Sequence, residues 1–329
     1  MQTINPIPGH ELCNQLKALR RLIADKVGVQ LQIPECNTNN PCAGTCQQCE
    51  NELKQLDEAC KNLPPDLISG IGKTLFGGFT STDVQTKRDD LVNQLVGKYQ
   101  WFDSKIEAPF FGIKRHSVNL DGDGVCTLAL FHGCTLRCRY CLNPQSFEND
   151  TVVLPLSPDE LLDIVKVDHL YFVSTGGGVT FGGGEPLLNS EFIKEFRRIC
   201  PPQWRINVQT SLNVDFKIVE SLINSVDKFK VDIKDINPDI YRAYTNCDNS
   251  DVCNNLVHLS SFGLQNQITM RVPSIKGYNT SDNIEQTMVW LRKNGFNNID
   301  CFEYIIPTQP IENLDTKTNI LDELEGLPF

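Results

Sequence analysis

The chain has 329 residues and a net charge of −11. That balance argues against a nucleic-acid phosphate backbone as partner, because such partners need a basic face. A hydrophobic fraction of 40% and a charged fraction of 22% are ordinary for a soluble globular protein, and no apolar run is long enough to cross a membrane. Fourteen cysteines, with no cationic or apolar leader in MQTINPIPGHELCNQL, point to thiolate metal sites in a cytoplasmic protein rather than to disulfides.

In chain order, residues 10–27 and 50–63 repeat apolar residues at helical spacing, and between them lies a cysteine-rich segment. Pro64 and Pro65 end the second helix, and a Gly-rich connector follows. Its GIGKT is not a phosphate loop, since the first Gly of that motif would fall at Leu67. From about residue 106 the pattern changes to six strand candidates, at 125–131, 179–183, 205–210, 228–233, 267–272 and 301–306. Helical candidates lie near 158–167, 189–199, 215–224, 250–262 and 281–294. This alternation predicts an α/β fold, a partial (β/α)6 TIM-like barrel of parallel strands over 106–329, with a small helical cysteine-rich domain over 1–105.

The spacing Cys-x3-Cys-x2-Cys occurs twice, in CAGTCQQC (42–49) and CTLRCRYC (134–141). The second triplet directly follows the first barrel strand, so it lies in a loop at the carboxyl end, where barrel enzymes build their sites. Three cysteines without a local fourth would leave one iron of an iron-sulfur cluster open to an outside ligand. Downstream, VTFGGGEPLL brings glycines that let backbone approach a ligand closely, and Glu185, which can accept hydrogen bonds from an ammonium group. A structural zinc site beside a Gly-rich turn is the plainer alternative.

CTLRCRYC followed by GGE after the next strand resembles the radical S-adenosylmethionine (SAM) superfamily. The resemblance implies that Cys134, Cys138 and Cys141 hold a catalytic four-iron four-sulfur cluster. It implies further that the open iron chelates the methionine end of SAM, and that reductive cleavage yields a 5′-deoxyadenosyl radical. Tyr140 stands at the position that packs near the adenine, and Gly183, Gly184 and Glu185 match the motif that receives the methionine amino group.

Within the superfamily, several stretches over residues 113–306 resemble the activating enzymes of glycyl radical enzymes. LDGDGV resembles their D-G-P-G-I element, with Asp123 in place of Pro. CLNP keeps the Asn of their Cys-His-Asn as Asn143, with Leu142 in place of His. VDIKDINPDIYRAYTNCDN resembles the Asp-x-Lys segment, which gives Asp232 and Lys234 roles in holding SAM and the substrate backbone. RVPSIKGYNTSDNI places Arg271 near the cofactor carboxylate. Asp232 and Lys234, two apart on a strand, share a face; a structural ion pair is the alternative. Gln209 and Thr210 stand where many members have Asp-Thr, with Thr210 on the cofactor side. Lys230 replaces a frequent Met, so a built-in cation is expected in place of a bound monovalent ion.

The first triplet lacks a preceding strand, an aromatic and a GGE. With Cys36 upstream, Cys36, Cys42, Cys46 and Cys49 form a local set of four thiolates, suited to zinc or to an auxiliary second four-iron cluster. The implied function is hydrogen abstraction from a glycine of a glycyl radical enzyme, supported by an electron donor such as flavodoxin or ferredoxin. The alternatives are maturation of a ribosomal peptide or small metabolite, and a metal-binding scaffold.

Overall fold

The computed structural model describes residues 9–31, 33, 45–61, 63–64, 66–76, 106–119 and 121–304. Two helices, α1 (Gly9–Val27) and α2 (Gln47–Cys60), precede an eight-stranded sheet. Its strands are β1 (Ala108–Val118), β2 (Val125–Phe131), β3 (Leu154–Leu156), β4 (Gly178–Gly183), β5 (Arg205–Thr210), β6 (Lys228–Asp232), β7 (Ile268–Ser274) and β8 (Ile299–Glu303).

The sheet order is β3-β1-β2-β4-β5-β6-β7-β8. From β2 to β8 every neighbouring pair is parallel, so the six strands expected from the sequence form one parallel ladder. The crossovers run through helices α3 (Pro158–Val165), α4 (His169–Thr175), α5 (Ser190–Ile199), α6 (Phe216–Leu222), α7 (Pro238–Thr245), α8 (Ser250–Ser261) and α9 (Ser281–Lys293). Capping fixes several starts: Ser157 with Glu160, and Thr280 with Asn283, form reciprocal capping boxes at α3 and α9. Helices α4 and α7 were not expected from the sequence.

Two antiparallel strands, β1 and β3, extend the β2 edge and were also not expected. Among the described residues no ladder joins β3 to β8, so the sheet is an open barrel. Its core is continuous. Leu16, Leu19, Ile23, Leu53 and Leu56 of α1 and α2 pack in the same apolar cluster as Tyr171 and Phe172 of α4 and the sheet's outer face. The boundary expected at residue 105 falls within 77–105, outside the described residues.

The segment before β2 enters the bottom of the barrel. The side-chain amide of Gln209 donates to Asp121 Oδ1 at 2.6 Å, and Thr180 Oγ1 donates to the Asp121 carbonyl at 2.9 Å. A Cβ on Gly122 would lie 2.4 Å from Asn207 Nδ2 and 2.6 Å from Cys126 Sγ, so only glycine fits there. Beside this plug Lys230 is largely buried; burial lowers its pKa, while Asp121 opposes the shift.

Candidate active site

Phe131, Gly183, Thr210, Asp232 and Ser274 all lie at the carboxyl end of the parallel ladder, so the segments that follow them meet at one mouth. The loop after β2 carries Cys134, Cys138 and Cys141, each partly exposed. It has no helix of its own and is fastened from several sides. Gly133 N–H donates to the Ser146 carbonyl at 2.6 Å, while Arg137 and Arg139 N–H groups donate to Thr245 and Tyr244 carbonyls at 3.0 Å each. The Cys247 thiol donates to the Thr135 carbonyl at 3.3 Å. Burial dominates all three thiols of the triplet, pushing Cys134 up to about 12 and Cys138 up to about 11. Lys234 opposes it at Cys138 and Cys141. Metal loading there therefore releases protons.

The segment after β4 is sewn to this loop. Gly184 N–H donates to the Phe131 carbonyl at 2.9 Å, Glu185 N–H to the Gly133 carbonyl at 2.8 Å, and the Asn143 amide to the Gly183 carbonyl at 3.4 Å. Gly183 adopts φ +91°, and a Cβ on Gly184 would lie 2.0 Å from the Gly133 carbonyl oxygen. The glycines thus serve close approach of the chain to itself. Glu185 is 1% exposed. Its carboxylate accepts from Thr210 Oγ1 at 2.6 Å, Ser211 Oγ at 2.6 Å, Ser211 N–H at 2.9 Å and Leu187 N–H at 3.2 Å. Burial raises its pKa against these donors. Glu185 and Thr210 therefore brace the mouth, with Glu185 already supplied with donors by its own chain.

Opposite the loop, Asp232 and Arg271 face each other in register on β6 and β7. Lys234 Nζ donates to Asp232 Oδ2 at 3.2 Å, and Arg271 Nη1 lies 3.4 Å from Oδ1. Burial opposes the charge on Asp232, yet Lys234 and then Arg271 hold its carboxyl below the usual carboxylate range. Burial likewise opposes the charge of Lys234, and Asp232 and Cys138 outweigh it and raise its pKa. The Tyr140 ring lies 5.7 Å from Tyr278 and 6.1 Å from Tyr244. Tyr304 lies under Lys234 at 5.6 Å, and Phe302 under Arg271 at 4.6 Å. Ser211, Tyr244, Tyr278, Phe302 and Tyr304 were missed in the sequence. Only the position of Ser211 at a strand end and the tyrosines of YRAYTNC carried any signal.

The sequence pattern of the Radical SAM superfamily matches residues 128–324, which takes in this whole mouth. The chain belongs to the radical SAM superfamily. Curated relatives are activating enzymes by name. The (2S)-3-sulfopropanediol dehydratase activating enzyme of Klebsiella oxytoca is 28% identical over 54% of this chain and 74% of its own length. The 4-hydroxyphenylacetate decarboxylase activating enzyme of Clostridioides difficile is 25% identical, covering 61% and 83%. The pyruvate formate-lyase-activating enzyme of Clostridium pasteurianum is 35% identical over 38% of this chain and 52% of its own length. This chain is thus a radical SAM enzyme that resembles the activating type.

Membership implies a four-iron four-sulfur cluster and SAM, and the mouth fits both. Three thiols share one loop, and Asp232 Oδ1, 3.4 Å from Arg271 Nη1, is buried without a hydrogen bond and keeps capacity to accept one. Among the described residues no group of three or more His, Cys, Asp or Glu side chains, the thiol triplet included, is placed to hold a metal ion.

The first triplet is differently built. Cys36 and Cys42 lie outside the described residues. Cys46 is exposed ahead of α2, and Cys49 is buried in its first turn, so α2 begins inside the triplet rather than after it. Their sulfurs are 3.4 Å apart. Arg20, fully buried, donates to Glu52 at 2.7 Å, to the Tyr171 hydroxyl at 2.5 Å and to Cys49 Sγ at 3.4 Å. Next to it, Arg115 bridges Glu50 at 2.8 Å and Asp168 at 2.6 Å, and His116 meets Asp168 at 2.9 Å. This network ties the cysteine segment to β1 and α4.

Proposed function

We propose that the protein abstracts a hydrogen atom from a glycine of a partner glycyl radical enzyme. The observation that carries this reading is the meeting, at one mouth, of the three-thiol loop with the Asp232, Lys234 and Arg271 charges. The names of the relatives support it. Cys134, Cys138 and Cys141 are the cluster ligands in this reading. When bound and reduced, the cluster with SAM supplies a 5′-deoxyadenosyl radical.

The chain's own residues bind, orient and exclude. Arg271 offers a guanidinium to the cofactor carboxylate. Tyr140 offers a ring face to the adenine. Asp232, kept ionised by its two cations, accepts through Oδ1, which has no hydrogen bond of its own. Lys234 donates toward the cofactor or the substrate backbone. The Gly183–Gly184 segment presents backbone to the methionine amino group; Asn143 and the Glu185 N–H hold that segment to the loop, while Thr210 and Ser211 anchor the Glu185 carboxylate at the end of β5. The aromatic wall of Tyr244, Tyr278 and Tyr304 keeps water from the mouth.

A second metal is proposed at Cys46 and Cys49, with Cys36 and Cys42 completing a tetrathiolate by sequence. The 3.4 Å contact of the two sulfurs brings this pair of candidate ligands together. Four soft thiolates suit either zinc or an auxiliary four-iron four-sulfur cluster. In this reading the metal staples the start of α2, which packs with α1 against the barrel. No helix among the described residues is long and apolar enough to cross a membrane; the reading is of a cytoplasmic enzyme reduced by flavodoxin or ferredoxin.

The test is anaerobic incubation of reconstituted protein with SAM, dithionite and a candidate glycyl radical enzyme. Formation of 5′-deoxyadenosine together with a glycyl radical signal is expected. Cleavage without any glycyl radical, but with a modified peptide or metabolite, would reassign the substrate.

A further inference from the structure

The loop that holds the three thiols also carries exposed cations. Two of the eight residues from Cys134 to Cys141 are arginines, and both are exposed, in a chain of net charge −11. Arg137 is pinned to the loop surface. Its Nη1 donates to the Cys134 and Leu136 carbonyls at 2.8 Å each, and its guanidinium lies 4.9 Å from the centre of the Phe147 ring. Arg139 is fixed only through its backbone, at the Tyr244 carbonyl. Its guanidinium has no ion-pair or hydrogen-bond partner among the described residues. Two exposed leucines flank the same loop. Leu142, 45% exposed, follows Cys141 directly, and Leu188, 48% exposed, lies beside Gly133. Of the acids that follow, Glu148 is near enough to Cys141 to raise its thiol's pKa, so the cationic face is the one carried by Arg137 and Arg139.

Large apolar side chains exposed beside cationic ones are the composition of a docking surface rather than of a solvated loop. Its position says what docks. A surface made by the thiol-bearing loop itself is the shortest route by which an electron can reach a group bound there. We propose that Arg139 and Arg137, with Leu142 and Leu188, form the docking surface for an acidic one-electron carrier protein. This rests on the assignment of Cys134, Cys138 and Cys141 as cluster ligands. The step is simple in balance: one electron leaves the reduced carrier and enters the cluster, and no atom or proton is exchanged. Free Arg139 steers the encounter, the leucines supply the contact, and Arg137 shapes the loop.

The test uses full-length, cluster-loaded protein under anaerobic conditions and compares wild type, Arg139→Glu and Lys54→Glu, the last an exposed charge on α2. A bacterial flavodoxin is the probe. Its binding is followed by flavin fluorescence at low and high salt, and cluster reduction by loss of visible absorbance, with flavodoxin hydroquinone or with dithionite. For Arg139→Glu the expected result is about tenfold weaker binding and slower flavodoxin-driven reduction at low salt, as for a rim charge that steers association. The difference narrows at high salt, dithionite reduction is unchanged, and Lys54→Glu behaves as wild type. Equal slowing with dithionite would mean that the substitution damages the loop. Unchanged flavodoxin binding, or an equal loss in Lys54→Glu, also overturns the proposal. If the change instead lowers glycyl radical formation after dithionite reduction, the surface belongs to the substrate protein. A wild-type protein that dithionite cannot reduce fails earlier, at the cluster assignment.

Discussion

Cys134, Cys138 and Cys141 sit in a helix-free loop at the carboxyl end of β2, partly exposed and facing a charged, aromatic-walled mouth. Cys46 and Cys49 straddle the first turn of α2, one exposed and one buried, against the fully buried Arg20. The two groups share a spacing, and their surroundings separate their chemistry. At the mouth, Asp232 Oδ1 has an ion pair with Arg271 but no hydrogen bond, and so keeps capacity to accept one from a ligand. Around Cys49 the neighbouring polar groups are matched: Arg20 spends its donors on Glu52, Tyr171 and Cys49. The first arrangement is built to bind something from outside, and the second to hold parts of the chain together.

Four comparisons, using five substitutions, probe that contrast in order of decreasing effect. Cys138→Ser abolishes 5′-deoxyadenosine formation down to background, whereas Cys46→Ser leaves reductive SAM cleavage per folded molecule unchanged. Chromatography of the anaerobic reaction mixture checks both, and loss of cleavage in Cys46→Ser would make the first triplet part of the catalytic path.

Next is Asp168→Asn in the network beneath the first group. Burial opposes the charge on Asp168, but His116 and Arg115 hold its carboxyl far below the usual carboxylate range. Because the folded-state pKa is depressed, its contribution is full above the unfolded value of about 4 and is lost as pH falls toward the folded value. The substitution should cost about 3–5 kcal/mol at neutral pH, the range for breaking a buried ion pair. The cost should shrink progressively below about pH 4. Denaturant unfolding across pH measures it, and a pH-independent difference would contradict the assignment.

Glu185→Gln weakens a brace of the mouth. It keeps the shape but gives the Thr210 and Ser211 donors a poorer acceptor, so about 1–3 kcal/mol of stability should be lost. KM for SAM should rise more than kcat falls, because the Gly183–Gly184 segment shifts. A change in kcat alone would mean that Glu185 touches the reacting groups. Smallest is Lys228→Ala, which removes a partly exposed pair with Asp123 at 3.2 Å at the barrel's lower rim. Its effect on the unfolding midpoint should correspond to less than about 1 kcal/mol, with catalysis untouched.

Much of the fold was legible. The six parallel strands follow from short β-rich runs alternating with amphipathic helices, a local signal that survives folding. Strands β1 and β3 were missed because APFFGIKRHSV and LPL, carrying Gly, Pro and charges, fit neither a clean alternation nor a buried run. At the site, the cysteines, the Gly-Glu segment and the Asp-x-Lys pair were readable as local motifs. The saturation of Glu185, the fit of Gly184 against Gly133 and the wall formed by Tyr244, Tyr278 and Tyr304 were not, since each depends on contacts between distant strands. Cys247 was likewise hidden: nothing in TNCDN says that its thiol reaches the Thr135 carbonyl of the three-thiol loop.

That thiol sharpens the central claim, which is that the cluster at Cys134, Cys138 and Cys141 keeps one iron free for SAM. The most direct measurement is the electron paramagnetic resonance spectrum of the reduced cluster with and without SAM, in wild type and in Cys247→Ser. The account predicts that SAM shifts the wild-type spectrum and that Cys247→Ser retains four irons and the same shift. A spectrum indifferent to SAM, or a cluster lost with Cys247, would show a site closed by a fourth thiolate and contradict it.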